Sequence, residues 1–379
     1  VGSTAGFGQA YYGGTSAVFA DLLGNRQLIA AGGINGRIQD AQVYVGYTDL
    51  GRRLQYTTGI SQLPVYLLGA SRQSQGPDGS LRFTEELVRL SQRDAFWRAL
   101  YPLDRYRRFE IGARLTNVGQ SAIPFTTTVD PTGTVVGQER GRDRGLGSAT
   151  MLAPSLAFVR DDALFGYSGP IAGTRLRASV EPQLGTWRWV DVLVDYRRYQ
   201  PILFNVLTLA TRVSTALTVG PDEGRLPKFI GRPDFIRGYN RASLAQGCGA
   251  PGAEERACAA QQLLGSRVAF ANVELRFPLV RRLELGALPI ALPPIDGLVF
   301  HDVGIAWTGQ ARDGLPTQAV SLRRPDGYDP SRQRYPLRAV GYGIRLNLYG
   351  FLILRWDRAW PLDGPDRRSY GTFFVGPSF

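Results

Sequence analysis

The chain has 379 residues, is 44% hydrophobic and carries a formal net charge of +12. That is enough apolar material for a full domain, and large β-barrels of this length run as a single unit. Lys228 is the only lysine and the arginines are spread rather than gathered in tracts. With no reading motif of the usual kinds beside them, nucleic acid is not expected as a partner.

No run of 18 apolar residues is present, so no transmembrane helix is expected, and no signal peptide is visible. The chain opens on Val1-Gly2-Ser3-Thr4 and reads as a mature or excised fragment. Residues 1–15, with Gly6-Phe7-Gly8-Gln9, read as a lead-in segment. From there period-two alternation dominates. Segments of roughly ten residues that fit a strand lie at 16–23, 26–35, 38–48, 52–61, 63–73, 80–100, 105–119, 149–160, 174–184, 187–198, 203–219, 266–277, 297–308, 338–348, 351–360 and 370–379. Thr84-Glu85-Glu86 could also start a helix, so the sixth segment is a strand, or a strand leading into a short surface helix.

The two faces of these strands differ. Thr174, Leu176, Ala178 and Val180 alternate with Arg175, Arg177 and Ser179, and Ile344, Leu346 and Leu348 alternate with Arg345, Asn347 and Tyr349. One apolar and one charged face, repeated along the chain, suits lipid outside and a wet lumen inside. Only a closed barrel lets strands cross a bilayer with every backbone group paired. The expected fold is therefore all-β: a 16-stranded antiparallel transmembrane β-barrel over residues 16–379. Short turns at Gly51-Arg52, Tyr101–Asp104 and Leu348–Gly350 contrast with long polar loops near 120–148, 220–265 and 309–337, the asymmetry of periplasmic turns and outer loops.

The longest loop, 220–265, lies between the eleventh and twelfth expected strands. It holds Ile236, Arg237, Gly238 and Tyr239, and its mixture of aromatic, aliphatic and charged residues argues for packing. Loops this long are usually functional or disordered. It also holds Cys248 and Cys258, the only cysteines. A short-loop disulfide fits an oxidising compartment; two unpaired surface thiols are the alternative. On the thirteenth strand Phe300, Asp302 and Gly304 share a face, and on the twelfth Asn272, Glu274 and Arg276 do. If Val303 and Ile305 face lipid, Asp302 faces the lumen, with Gly304 leaving room beside it. Glu274 is a second inward acceptor. The chain ends on Phe373, Val375 and, after Pro377, Phe379, alternating toward a terminal aromatic.

Together, Ile236-Arg237-Gly238-Tyr239, the Phe300-x-Asp302-x-Gly304 strand, Asn272–Leu279 and the terminal Phe379 resemble the BamA-like bacterial surface antigen superfamily, which contains outer-membrane insertases and two-partner-secretion transporters. The resemblance covers most of the chain in pattern and about residues 200–379 in motifs. It implies a bacterial outer-membrane barrel whose sixth surface loop folds into the lumen, with Arg237 paired to Asp302, Phe300 and Tyr239 packed nearby, and Phe373, Val375 and Phe379 as the C-terminal barrel signal. It implies as partners outer-membrane lipid, lipopolysaccharide and client or partner proteins. Members usually carry periplasmic domains before the barrel and none is present here, so a missing N-terminal periplasmic domain is a further expected partner.

One histidine and two loop cysteines leave no metal cluster with ligand spacing. No Gly-x-Ser-x-Gly elbow and no phosphate loop occur, so neither a cofactor nor enzyme activity is expected. Three functions remain open: protein insertion or translocation, anchoring of a soluble domain or partner subunits, and passive diffusion.

Overall fold

The computed structural model describes residues 12–35, 37–76, 79–203, 206–225, 227–239, 262–281, 283–284, 291–309, 317–325, 332–348, 352–363 and 368–376. The chain forms two compact units: residues 1–102, 110–155 and 183–187 in the first, and 103–109, 156–182 and 188–379 in the second. Both are built from antiparallel strands joined to their neighbours in sequence. Cys248, Cys258 and Phe379 lie outside the described residues, as does most of the expected lead-in.

The first unit begins with β1 (Tyr12–Ala20), β2 (Arg26–Asn35), β3 (Arg37–Asp49), β4 (Gln55–Gln75) and β5 (Leu81–Pro102). They pair in order. The registers put Ser16, Ala31, Tyr44, Ser61 and Asp94 in one row. The opposite face carries Leu28, Val45, Ile60 and Trp97, all solvent-exposed. Directly opposed residues in a ladder point the same way and successive ones alternate, so the period-two reading of the sequence carries over to the sheet.

Two expectations need correction, and one alternative is decided. Segments 52–61 and 63–73 are one strand, β4, which also runs on through Pro64. The β3 register starts at Val43↔Gln62, so Pro64, which has no N–H to donate, lies past it while still opposed to Ser91 of β5. The sixth segment is strand throughout, the first of its two readings. The expected loop 120–148 is largely strand: β6 runs Arg107–Val129 and folds back through Val135–Arg140. The turn is made by Asp130, whose carboxylate accepts the N–H groups of Thr132 and Thr134, and by Gly133 at φ 89°. Its sequence, Thr-Thr-Val-Asp-Pro-Thr-Gly-Thr-Val-Val, is that of a hairpin with β-formers on both arms.

After β7 (Arg144–Asp161) and β8 (Pro170–Gly185), the second unit continues as β9 (Trp189–Ile202), β10 (Leu207–Val219), β11 (Arg267–Val280), β12 (Ile295–Trp307), β13 (Leu337–Leu348), β14 (Leu352–Pro361) and β15 (Tyr370–Val375). These also pair in order. The expected eleventh and thirteenth strands are thus β10 and β12. Fifteen sequential main strands lie among the described residues, and no pairing of β1 with β15 is found among them, so they do not show the closed barrel or its strand number.

Registers in this unit stack the inner face into rows. Arg197, Arg212, Asn272, Asp302, Ala339 and Pro361 form one, and Tyr199, Ala210, Glu274, Phe300, Gly341 and Ala359 the next. The outer face carries exposed Val213, Val273, Val299 and Tyr342. There Tyr342 lies 5.8 Å from Trp356 and 5.7 Å from Trp360, ring to ring.

A candidate lock between loop and strand wall

The loop after β10 is tied at its stem. Glu223, almost fully buried, accepts hydrogen bonds from Ser266 Oγ, Arg267 Nη2 and Gly309 N. Lys228–Phe229 pairs with Leu264–Gly265. The chain then turns sharply: Phe235 N and Ile236 N both donate to Arg232 O, with Pro233 between them fixing φ for the turn. This turn delivers residues 234–239 to the inner face of β10–β14.

The wall is shaped to receive them. Arg212 of β10 donates to Asp234 O, and Asn272 of β11 donates to Phe235 O. Ile236 is fully buried with Ile230, Leu263, Phe270 and Leu337, and it fills space left by Gly304. A Cβ at Gly304 would sit 2.4 Å from Ile236 Cδ1. Gly238 adopts φ +84°, a left-handed conformation that favours glycine, and runs beside Ala359 and Pro361 of β14.

Arg237 is 1% exposed although it sits in a loop. Its Nε and Nη2 donate to the two oxygens of Asp302, each at 2.7 Å, and its backbone N donates to Asp302 Oδ2 at 3.1 Å. Its Nη1 donates to Glu274 Oε1 at 2.7 Å. Asn272 Nδ2 gives Asp302 a fourth hydrogen bond at 2.8 Å. Below the guanidinium, 3.5 Å from its carbon, lies the Phe300 ring, a cation–π contact in a desolvated setting. Phe300 fits there because Gly341 has no side chain; a Cβ at Gly341 would lie 2.4 Å from Phe300 Cζ. The planar arginine fork matches a carboxylate edge-on and stacks on an aromatic face, which a lysine could not do. Burial opposes the Arg237 charge, but Asp302 and Glu274 outweigh it and hold its pKa above the usual arginine range.

Asp302 and Glu274 therefore share Arg237 instead of competing for it. Tyr239 does not pack on the guanidinium. Its hydroxyl donates toward Arg338 O and Asp363 O and accepts from Asp363 N, so it reaches the ends of β13 and β14, and burial raises its phenol pKa. Asp363 also holds Arg338 through both carboxylate oxygens.

Sequence reasoning missed the second half of the cluster. Asp357 of β14 accepts from Arg345 Nη1 at 2.9 Å and Arg355 Nε at 2.7 Å, and lies 4.0 Å from Arg237 Nη1. Arg276 holds Glu274 Oε2 at 2.7–2.8 Å. The available signal was period two, which puts Arg355 and Asp357 on one face of their strand. Which row of β11 or β12 they meet depends on register. Of the remaining candidates, His301 is exposed on the outer face between Val273 and Val340. Phe373 and Val375 of β15 are also exposed. No group of His, Cys, Asp and Glu able to hold a metal ion occurs among the described residues. What the arrangement does chemically is bind a loop to a wall through charge.

No family model matches the sequence, and no curated protein matches it. Solved structures do. BamA from Haemophilus ducreyi lacking POTRA domains 1–3 aligns with a TM-score of 0.55 at 14% identity, over 96% of this chain and 69% of that one. The fold is BamA-like. CdiB from Acinetobacter baumannii aligns with a TM-score of 0.50 at 10% identity, over 97% of this chain. CdiB from Escherichia coli gives 0.50 and 12%, over 96%. The chain spans 56% and 57% of those two CdiB chains. In this BamA-like fold the buried contacts of Arg237 join the loop to β11 and β12.

Proposed function

We propose that the chain is the membrane portion of a bacterial outer-membrane protein that inserts or translocates other proteins. In this reading the strands from β1 onward close into a 16-stranded antiparallel β-barrel, the residues before β1 lead in from the periplasm, and loop 220–265 occupies the lumen. Outer-membrane lipid and lipopolysaccharide cover the outer face, client proteins are the cargo, and a periplasmic N-terminal domain delivers them. The C-terminal signal is Phe373, Val375 and Phe379.

The observation that carries this reading is the saturation of Arg237. A loop arginine is normally solvated. Here it is 1% exposed, and every guanidinium nitrogen and its backbone N–H donate to Asp302 or Glu274. Exposed Val273, Val299, Tyr342 and Trp360 on the outer face suit a lipid-facing band with aromatic edges. The packed loop works against the diffusion-pore reading, since a filled inner face conducts poorly. A barrel that only anchors a soluble domain would need no movable lock.

The test is Arg237→Ala in cells. Removing one partner of a buried ion pair costs roughly 3–5 kcal/mol, so the variant is expected to fold with lower heat stability and to lose client assembly or secretion. Unchanged client assembly and heat stability would sink the reading. Loss of stability with intact client assembly, together with stoichiometric partner subunits on purification, would replace it with the anchor.

A further inference from the structure

The ion cluster around Arg237 is uneven. Three buried carboxylates, Glu274, Asp302 and Asp357, face four arginines: Arg237, Arg276, Arg345 and Arg355. Arg345 is the poorly served member. It is 1% exposed, and its Nη1 holds Asp357 Oδ1 at 2.9 Å, yet its Nε and Nη2 have no hydrogen-bond partner. Leaving buried donors unmade is costly, more so on a charged group.

The open edge has an acceptor close by. Arg345 Nη2 stands 3.6 Å from Glu274 Oε1. That is the same oxygen that Arg237 Nη1 holds at 2.7 Å. The gap is about 0.7 Å beyond an ordinary charge-assisted hydrogen bond. Arg345 Nη1 rests on Asp357 beside it, so a shift of that size about this contact is the only movement the exchange asks for.

We propose that Arg345 is the stand-in for Arg237. When the loop withdraws, Arg345 Nη2 takes Glu274 Oε1 while its Nη1 stays on Asp357. Glu274 is then held by Arg276 and Arg345, and Asp357 by Arg345 and Arg355, so neither carboxylate is stranded. Asp302 has no such replacement; it keeps only Asn272 Nδ2. The two acceptors of Arg237 thus differ in role. Glu274 can change partner, which lowers the cost of release, and Asp302 is the vacancy that calls the loop back. Arg345 is a positioning residue in this scheme, acting through Glu274. The inference rests on the reading that the loop is a movable lock.

The experiment is a double-mutant cycle on the full purified chain folded in detergent, read as melting temperature. The variants are Arg237→Ala, Arg345→Met and the pair, each repeated with Glu274→Gln. The pair is expected to lower the melting temperature by clearly more than the sum of the singles, and Glu274→Gln is expected to abolish the excess. Additive shifts overturn the proposal, since sites in one network couple when they share a partner. If Arg345→Met does not fold, Arg345→Lys keeps a single contact to Asp357 and is expected to show the same excess. A structure of Arg237→Ala should bring Arg345 Nη2 within hydrogen-bond reach of Glu274 Oε1, and an unchanged separation also overturns the proposal. Limited proteolysis separates the two readings. A loop still protected in Arg237→Ala refutes the lock itself, whereas a released loop with an additive cycle refutes only the exchange.

Discussion

Gly304→Ala should loosen the loop without touching a charge. A methyl there would lie 2.4 Å from Ile236 Cδ1, 2.9 Å from Ile236 Cγ1 and 2.9 Å from Phe270 Cβ, well inside the roughly 3.5–4.0 Å at which carbon atoms attract. Ile236 cannot swing clear, because it is fully buried among Ile230, Leu263 and Leu337. Phe270 Cβ cannot yield either, since the β11 backbone fixes it. Two effects oppose each other. Gly→Ala at a compatible site stabilises by about 0.4–1 kcal/mol through the unfolded chain, and overpacking costs about 1–3 kcal/mol; contacts this short make the second win. Gly32→Ala is the control, because its Cβ would meet only Gln42 O at 3.8 Å, and it should be neutral or slightly stabilising. Ile236→Ala alone should cost about 2–5 kcal/mol as a cavity. Combined with Gly304→Ala it should cost less than the sum, because the alanine methyl then enters space that Ile236 has left. The assay is the urea midpoint of the folded protein in detergent, with protease sensitivity of the loop in parallel. A Gly304→Ala variant as stable as wild type, or strict additivity with Ile236→Ala, would refute the idea that this glycine exists to seat Ile236.

Arg237→Lys should behave nearly like Arg237→Ala in loop release, measured by limited proteolysis, because a single ammonium cannot span Asp302 and Glu274 or stack on Phe300; retained protection would show that charge alone suffices. Tyr239→Phe should leave Asp363 N and the Arg338 and Asp363 carbonyls without their shared hydroxyl, at a cost of about 1–3 kcal/mol. Hydrogen exchange should accelerate where β13 begins and β14 ends, and unchanged exchange there would show that Tyr239 is only a packing residue.

Strand type and facing were readable because alternation is local. Asn272, Glu274 and Arg276 fall on one face whatever they pair with, and so do Phe300, Asp302 and Gly304. Boundaries were less readable. Polar residues through 120–148 suggested a loop, yet Thr126–Val129 and Val135–Val136 are β-formers about an Asp-Pro-Thr-Gly turn, and that chemistry outweighs polarity. Segments 52–61 and 63–73 were read apart although they are one strand, β4, and Pro64 within it does no harm because a missing N–H breaks a strand only where a neighbour needs it. Arg237, Asp302 and Glu274 could be named because an arginine shut inside a structure needs a carboxylate. Arg345 and Asp357 could not, since an inward charge reads the same whether it meets water or a partner. Which rows of β11 and β12 each of them meets is fixed by register, which is not written in any one strand.

The cluster is a poor device for stability and a good one for position. Desolvating four guanidinium groups and three carboxylates costs about as much as their attraction returns, and well-packed apolar residues would often do as well or better. Apolar packing would, however, hold the loop in many near-equivalent placements. Arg237 accepts only one: its fork must lie in the plane of the Asp302 carboxylate, its third nitrogen must meet Glu274, and its face must lie on Phe300. The glycines enforce the same placement sterically, Gly304 under Ile236 and Gly341 under Phe300. A contact this specific is lost almost entirely by a small displacement, so the loop should be either seated or released, with little in between. That is the behaviour a lock needs, and it accounts for polar groups being kept at a place where Leu and Phe would have filled the space.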